Sequence, residues 1–358
     1  MSLGDLKRYA FINAKLRSRI AQMFDERKIE TLINCTSLEE LFHHLKGSSY
    51  EPLLEIYDQS GDIQRLEAFL FARNVELNKE VESYMDGHYR SVIEALRLKL
   101  EVENLKSVIR LWFSNNVKGQ NIDYRYGYLY HKKIVNEIDY PAIINAQSFN
   151  QIVEALKGTI YEKEVSSFDF QKISAEGLFT LETLLDQTWF SFLRQSISKI
   201  KNEDKNLINE VLDRDADLKN TINLVRFGFF YGLPPSSLRR LMLEGGQIVK
   251  SKEFEAYLAA DFQNRSIISL IEPQFPKLAE KLRQESSKKT EEQTLIVESY
   301  LFEVRRKSFN TMLRGYPFNF GIILAYFFLS ERQNLLIRRI INGINYSLKP
   351  DLIRESVV

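Results

Sequence analysis

The chain is poor in the residues that interrupt helices or carry redox and metal chemistry. It has a single cysteine, Cys35, so no disulfide can form within it, which fits a reducing compartment. Only 8 prolines and 15 glycines are spread over 358 residues, leaving long uninterrupted stretches that favour helix. The four histidines, His43, His44, His88 and His131, are scattered without metal-ligand spacing, and the adjacent pair His43–His44 points in two directions on a helix. Period-two alternation is scarce and no Asn-Gly hairpin is flanked by it, so a sheet is not expected. The N-terminus lacks the apolar core of a signal peptide. The most apolar run, Phe318 to Leu329, is too short for the roughly 20 residues of a membrane span and reads as a buried helix.

Catalytic and phosphate-binding signatures are missing too. There is no Gly-x-x-x-x-Gly-Lys loop, Gly-x-Gly-x-x-Gly, Gly-x-Ser-x-Gly, His-Glu-x-x-His or Cys-x-x-Cys. Lys+Arg at 49 nearly equals Asp+Glu at 48, so overall charge does not single out a nucleic-acid partner. The tyrosine-rich stretch Tyr124 to Tyr130, with Arg125 in it, has the composition of a base-stacking surface, but no basic run or strand pattern accompanies it.

What the chain has is ordinary globular composition, 44% hydrophobic and 27% charged, with 24 Phe and 17 Tyr for a wide interior. It also repeats itself. Leu66-Glu67-x-x-Leu70, Leu181-Glu182-x-x-Leu185 and Val297-Glu298-x-x-Leu301 share one form. Each is followed by an acidic residue, two free positions and an asparagine: Glu101 with Asn104, Asp217 with Asn220, and Glu331 with Asn334. Both markers recur at about 115 residues, the spacing of a triplicated helical unit. A further echo is Pro-x-x-aliphatic-Arg, at Pro235 with Arg239 and at Pro350 with Arg354. The expected fold is all-α, with helical repeats over residues 1–125, 126–245 and 246–358.

Helix patterns and stops follow the same reading. Tyr9, Ile12, Leu16, Ile20 and Met23 form one stripe; Leu98, Val102, Leu105, Ile109 and Trp112 form another. Thr36 with Glu39, Ser148 with Gln151 and Thr290 with Gln293 have capping-box form. Gly245-Gly246 and Asn342-Gly343 read as helix ends, and Ser286 to Lys289 as a polar linker.

The repeated carboxylates Glu67, Glu182 and Glu298 are the best candidates for chemistry. Three equivalent acids about an axis would suit a cation or an enzymatic role; the competing account is structural, each acid bridging one helix to the next. The asparagines Asn104, Asn220 and Asn334 are read the same way, tying loop backbone to a helix.

With the triplication, Tyr9-Ala-Phe-Ile-Asn-Ala-Lys-Leu-Arg17, the Gly232-Leu-Pro-Pro turn ahead of Leu243-Glu-Gly-Gly246, and Ala325-Tyr-Phe-Phe-Leu-Ser-Glu331-x-x-Asn334-Leu335 resemble the C subunit of bacterial and archaeal V/A-type ATPases, a relative of the d subunit of eukaryotic V-ATPases. Arg338-Arg339 and the missing Pro-x-x-aliphatic-Arg of the first repeat depart from strict repetition. The resemblance implies a funnel of three subdomains about a pseudo-threefold axis, belonging to the rotor. It implies two partners, the central-shaft subunits (D/F type) and the membrane proteolipid ring, on the cytoplasmic face of the membrane. No catalytic residue, metal, cofactor, nucleic acid or small-molecule substrate is implied. The segments at Pro235, Arg239, Pro350 and Arg354 are the expected partner contacts. An all-helical adaptor that binds partner helices, unrelated to a rotary motor, is the alternative.

Overall fold

The computed structural model describes residues 3–121, 127–168, 171, 178–230, 232–285 and 290–357. Among them every regular element is a helix, as the sequence predicts. In chain order these are α1 (Leu3–Ala21), α2 (Glu26–Ile33), α3 (Leu38–Leu45), α4 (Pro52–Ser60), α5 (Ile63–Ser83), α6 (Gly87–Asn116), α7 (Tyr140–Ile144), α8 (Phe149–Ala155), α9 (Glu162–Ser166), α10 (Phe179–Ile197), α11 (Asn202–Asn223), α12 (Pro235–Arg240), α13 (Lys252–Ala259), α14 (Ile267–Ile271), α15 (Pro276–Gln284), α16 (Thr290–Arg314), α17 (Gly321–Asn345) and α18 (Pro350–Val357). A π-helical segment, Leu224–Phe230, extends α11. Tyr124 to Tyr126 and the linker Ser286 to Lys289 lie outside the described residues, as does the side chain of Thr290.

The chain divides into two compact units, Met1–Glu162 with Ile322–Val358, and Lys163–Gly321. In the first, α5 and α6 pack along each other, and α2 to α5 share a core with α17 and α18. Leu41, Leu45, Leu53 and Leu66 meet Ile337, Ile340 and Ile353 there. The stripe Leu98, Val102, Leu105, Ile109 and Trp112 is fully covered, and the Trp112 indole donates to Ala146 O at 2.8 Å. In the second unit α11 packs on α16, and Leu218, Ile222 and Val225 share a core with Phe254, Leu270, Leu278 and Val297.

Caps differ in detail from the sequence reading. Ser37, one residue beyond Thr36, is the N-cap of α3 and accepts from Glu40 N, while Glu40 Oε2 reaches back to Thr36 N at 2.7 Å. The carboxylate that completes the box is therefore Glu40, not Glu39. At α8 Ser148 holds the cap position without a side-chain bond, and Gln151 accepts from Gln147 N instead. Asn342-Gly343 does not end α17, which runs to Asn345. Gly343 serves packing: a Cβ there would sit 2.6 Å from Ile353 Cγ1 of α18. Gly245-Gly246 likewise ends no helix, since α12 stops at Arg240.

Candidate functional site

The acid–asparagine pairs lie three residues apart, so both side chains of a pair leave the same face of their helix. On α6 the pair captures a non-helical segment. Asn104 Nδ2 donates to Tyr130 O at 2.9 Å, and Tyr130 N donates back to Asn104 Oδ1 at 3.3 Å. Glu101 takes four donors: Val135 N and Asn136 N at 2.7 Å, Asn136 Nδ2 at 2.6 Å, and the Tyr161 hydroxyl at 3.1 Å. Its side chain is fully buried, and burial pushes the carboxyl upward against the donors that favour the anion.

In the second unit α11 repeats the device. Asn220 Nδ2 donates to Leu243 O at 3.0 Å and Leu243 N donates to Asn220 Oδ1 at 2.8 Å. Asp217 accepts from Gln247 N at 2.9 Å and Ile248 N at 2.8 Å. Burial raises this carboxyl also, opposed by the same two amides. Gly246 lets the backbone come this close, because a Cβ there would lie 2.1 Å from Asp217 Oδ1. The asparagines do what was expected of them at these two places, and the acids do more, each holding consecutive main-chain amides.

The third pair, on α17, departs from this. Glu331 is half exposed and meets Lys99 Nζ at 2.6 Å. Asn334 Oδ1 accepts from the Tyr50 hydroxyl at 2.7 Å and from Arg73 Nη1 at 3.0 Å. The main-chain amide of this copy, Phe24 N, donates to Gln333 Oε1 at 2.8 Å. Asn334 Nδ2 is enclosed and has no acceptor.

The recurrent glutamates bridge helices where their partners are seen. Glu67 on α5 accepts from Asn342 Nδ2 of α17 at 2.8 Å, and Glu298 on α16 lies 3.8 Å from Arg226 Nη2. Glu182 sits half-buried in the first turn of α10. Within the first unit, α5, α6 and α17 line a cavity of about 960 Å3. Glu67, Asn104, Glu331 and Asn334 all face it, together with Arg110 and Arg338. Several of the singled-out residues thus share one surface.

Pro235 and Pro350 open the short helices α12 and α18 and are exposed. Their arginines are bound within the chain. Arg239 Nη2 is 2.5 Å from Glu255 Oε2 on α13, and Arg354 pairs with Glu30 and, at 2.5 Å, with Asp351. Tyr346, Leu348 and Leu352 are exposed beside Pro350.

One trio among the described residues has mixed metal-ligand types, Cys35, Glu40 and His44. Its groups have structural occupations. The Cys35 thiol donates to Thr31 O, and Glu40 Oε2 takes both the amide and the hydroxyl of Thr36. Burial, with Glu40 beside it, pushes the thiol up to about 11, which disfavours the thiolate a metal needs.

A second repeat escaped the sequence reading. Lys46-Gly47-Ser48-x-Tyr50-Glu51 and Lys157-Gly158-Thr159-x-Tyr161-Glu162 form the same turn. In each the glycine has φ near +75°, its N–H donates to the glutamate, and the hydroxyl residue accepts from the tyrosine N–H. The two tyrosines then reach an acid–asparagine pair, Tyr161 at Glu101 and Tyr50 at Asn334. The shared spelling is visible in the sequence, whereas the tyrosines' targets are set by the fold.

A family model described as ATP synthase (C/AC39) subunit matches residues 12–356. Similar chains include the C subunit of the A-type ATP synthase of Pyrococcus furiosus, 22% identical over 98% of this chain and 90% of that one. The corresponding A-type ATP synthase chain of Methanocaldococcus jannaschii is 22% identical over 99% and 87%. That of Thermococcus gammatolerans is 23% identical over 98% and 89%.

Proposed function

The chain belongs to the ATP synthase (C/AC39) subunit family, and from that premise we propose that it is the non-catalytic central-stalk coupling of a V/A-type ATP synthase. In this reading it joins the D/F-type shaft to the membrane proteolipid ring and passes torque between them. The observation that carries the proposal is the clamp built twice, at Glu101–Asn104 and at Asp217–Asn220. At each, a buried carboxylate takes two consecutive main-chain amides and an asparagine pairs with a main-chain carbonyl and amide, which stiffens the body. Torque transmission requires such stiffness. The triplicated markers support three similar subdomains closed as a funnel about a pseudo-threefold axis.

Attachment to the ring is by surface contact, since no helix among the described residues is long and apolar enough to cross a membrane. The exposed segments at Pro235 and Pro350, the latter flanked by Leu348 and Leu352, are the proposed ring contacts. The cavity of the first unit is the proposed seat of the shaft's foot. The test is affinity purification of the tagged chain from detergent-solubilised membranes of its own cells. Shaft and proteolipid subunits should be recovered with it. Recovery of neither, with other proteins retained, would replace this reading with that of a helical adaptor.

A further inference from the structure

The third acid–asparagine pair keeps the residue types of the other two and loses their main-chain bonds. In the first two copies Nδ2 of the asparagine donates to a main-chain carbonyl of a non-helical segment, Tyr130 O or Leu243 O. In the third, Asn334 is only 7% exposed, its Nδ2 has no acceptor, and the side chain borders the cavity of the first unit. A buried donor left unpaired costs about 1–3 kcal/mol, and native structures pair nine in ten or more of such groups.

Among the described residues no carbonyl meets Asn334 Nδ2. Counting back from the shared glycines Gly158 and Gly47, the position that Tyr130 holds in one copy falls at Arg19 in the other. Arg19 lies in the last turn of α1 and its carbonyl already accepts from Gln22 N at 3.2 Å, whereas Tyr130 lies in a non-helical segment and its carbonyl meets Asn104 Nδ2. Nor can the Asn334 amide simply turn over. Its Oδ1 is fixed by two donors, Tyr50 and Arg73, so the open end is a donor and calls for an acceptor.

We propose that Asn334 holds a main-chain carbonyl of a non-helical segment of the shaft, which enters the cavity between α5, α6 and α17 and supplies in trans what Tyr130 and Leu243 supply in cis. The proposal rests on the functional reading above for the identity of the partner. The cavity of about 960 Å3 is of the size that encloses a sizeable ligand. Nδ2 is enclosed in the free chain, so binding has to uncover it before it meets its acceptor.

The isosteric change Asn334→Asp separates this from a purely structural role. In the free chain it replaces the orphaned donor with a second acceptor, and the carboxylate binds Tyr50 and Arg73 more strongly. The melting temperature of the free chain should rise by about 2 °C. Asn104→Asp and Asn220→Asp lose a donor that is in use, and their melting temperatures should fall. In the tagged chain purified from its own membranes, Asn334→Asp should retain about tenfold less shaft subunit than wild type at equal recovery of the chain. A fall in melting temperature for Asn334→Asp would mean that the donor is already paired in the free chain, and the inference fails. Unchanged retention of the shaft defeats it as well. A wild-type chain that retains neither shaft nor ring defeats the functional reading itself, a different result from either.

Discussion

The Tyr50 hydroxyl donates to Asn334 Oδ1 at 2.7 Å although the two residues are 284 positions apart in the chain. The bond ties the turn after α3 to the middle of α17, and the core around it draws on both ends of the chain. Tyr161 makes the equivalent reach to Glu101 over 60 residues. The short-helix module that follows α6 in sequence and the one that serves α17 are thus the same device, except that the second is supplied from the N-terminal side. First and last parts of the chain fold as one body.

Removing either hydroxyl should be felt unequally. Tyr50→Phe loses a bond to a neutral acceptor and is expected to cost about 1 kcal/mol, while Tyr161→Phe loses one to a carboxylate and should cost about 2 kcal/mol. Urea unfolding read by circular dichroism measures both, and the slope with urea should stay at the wild-type value.

The three acids of the repeat should not be equivalent. Glu101→Ala strips acceptors from two main-chain amides, Asn136 Nδ2 and the Tyr161 hydroxyl in a buried place, and is expected to cost about 3 kcal/mol. Glu331→Ala breaks a half-exposed pair with Lys99 and should cost less than about 1 kcal/mol. Equal losses in urea titrations of the two variants would contradict this assignment.

Acid should weaken the contact between α1 and α5 late. Glu80 faces Lys15 at 3.2 Å, Arg19 at 2.5 Å and the Tyr84 hydroxyl. Burial alone would raise its pKa, but the hydrogen bonds from Arg19, Tyr84 and Lys15 outweigh it and hold the carboxyl down at about 2. A folded-state pKa below the unfolded value stabilises above the unfolded pKa, and the benefit is lost as pH falls through the folded one. The stability difference between wild type and Glu80→Gln should therefore be constant above the ordinary value of 4.5 and shrink as pH falls toward about 2. A difference that widens toward low pH would refute the sign.

Helix content, the buried stripe of α6 and the acid–asparagine pairs were legible in the sequence because each depends on spacing along one helix. The clamp was legible in kind only. Asn104 and Asn220 were expected to tie loop backbone to a helix, but the partners Tyr130 and Leu243 are fixed by how the chain returns, which no local pattern records. Arg239 and Arg354 looked available in sequence; Glu255 and Glu30, which bind them, lie on other helices. Gly246 and Gly343 were read as helix ends because glycine most often serves there, whereas their use is to admit a neighbour, Asp217 in one case and Ile353 in the other.

That use of Gly246 can be isolated from its backbone conformation. Its φ is +71°, and Gly47 has a φ of +74° with nothing within 4 Å of where a Cβ would be. Gly47→Ala therefore reports the left-handed backbone cost alone, about 1–2 kcal/mol. Gly246→Ala adds a methyl whose position falls 2.1 Å from Asp217 Oδ1 and 2.4 Å from its Cγ. The carboxylate must then leave Gln247 N and Ile248 N, so the expected cost is about 2 kcal/mol or more above that of Gly47→Ala. A double-mutant cycle makes the argument strict. In an Asp217→Ala background the methyl meets no carboxylate and no clamp remains to be lost, so Gly246→Ala should fall to the cost seen at Gly47. If its cost is the same in both backgrounds, the close approach of this loop to Asp217 is not what requires glycine.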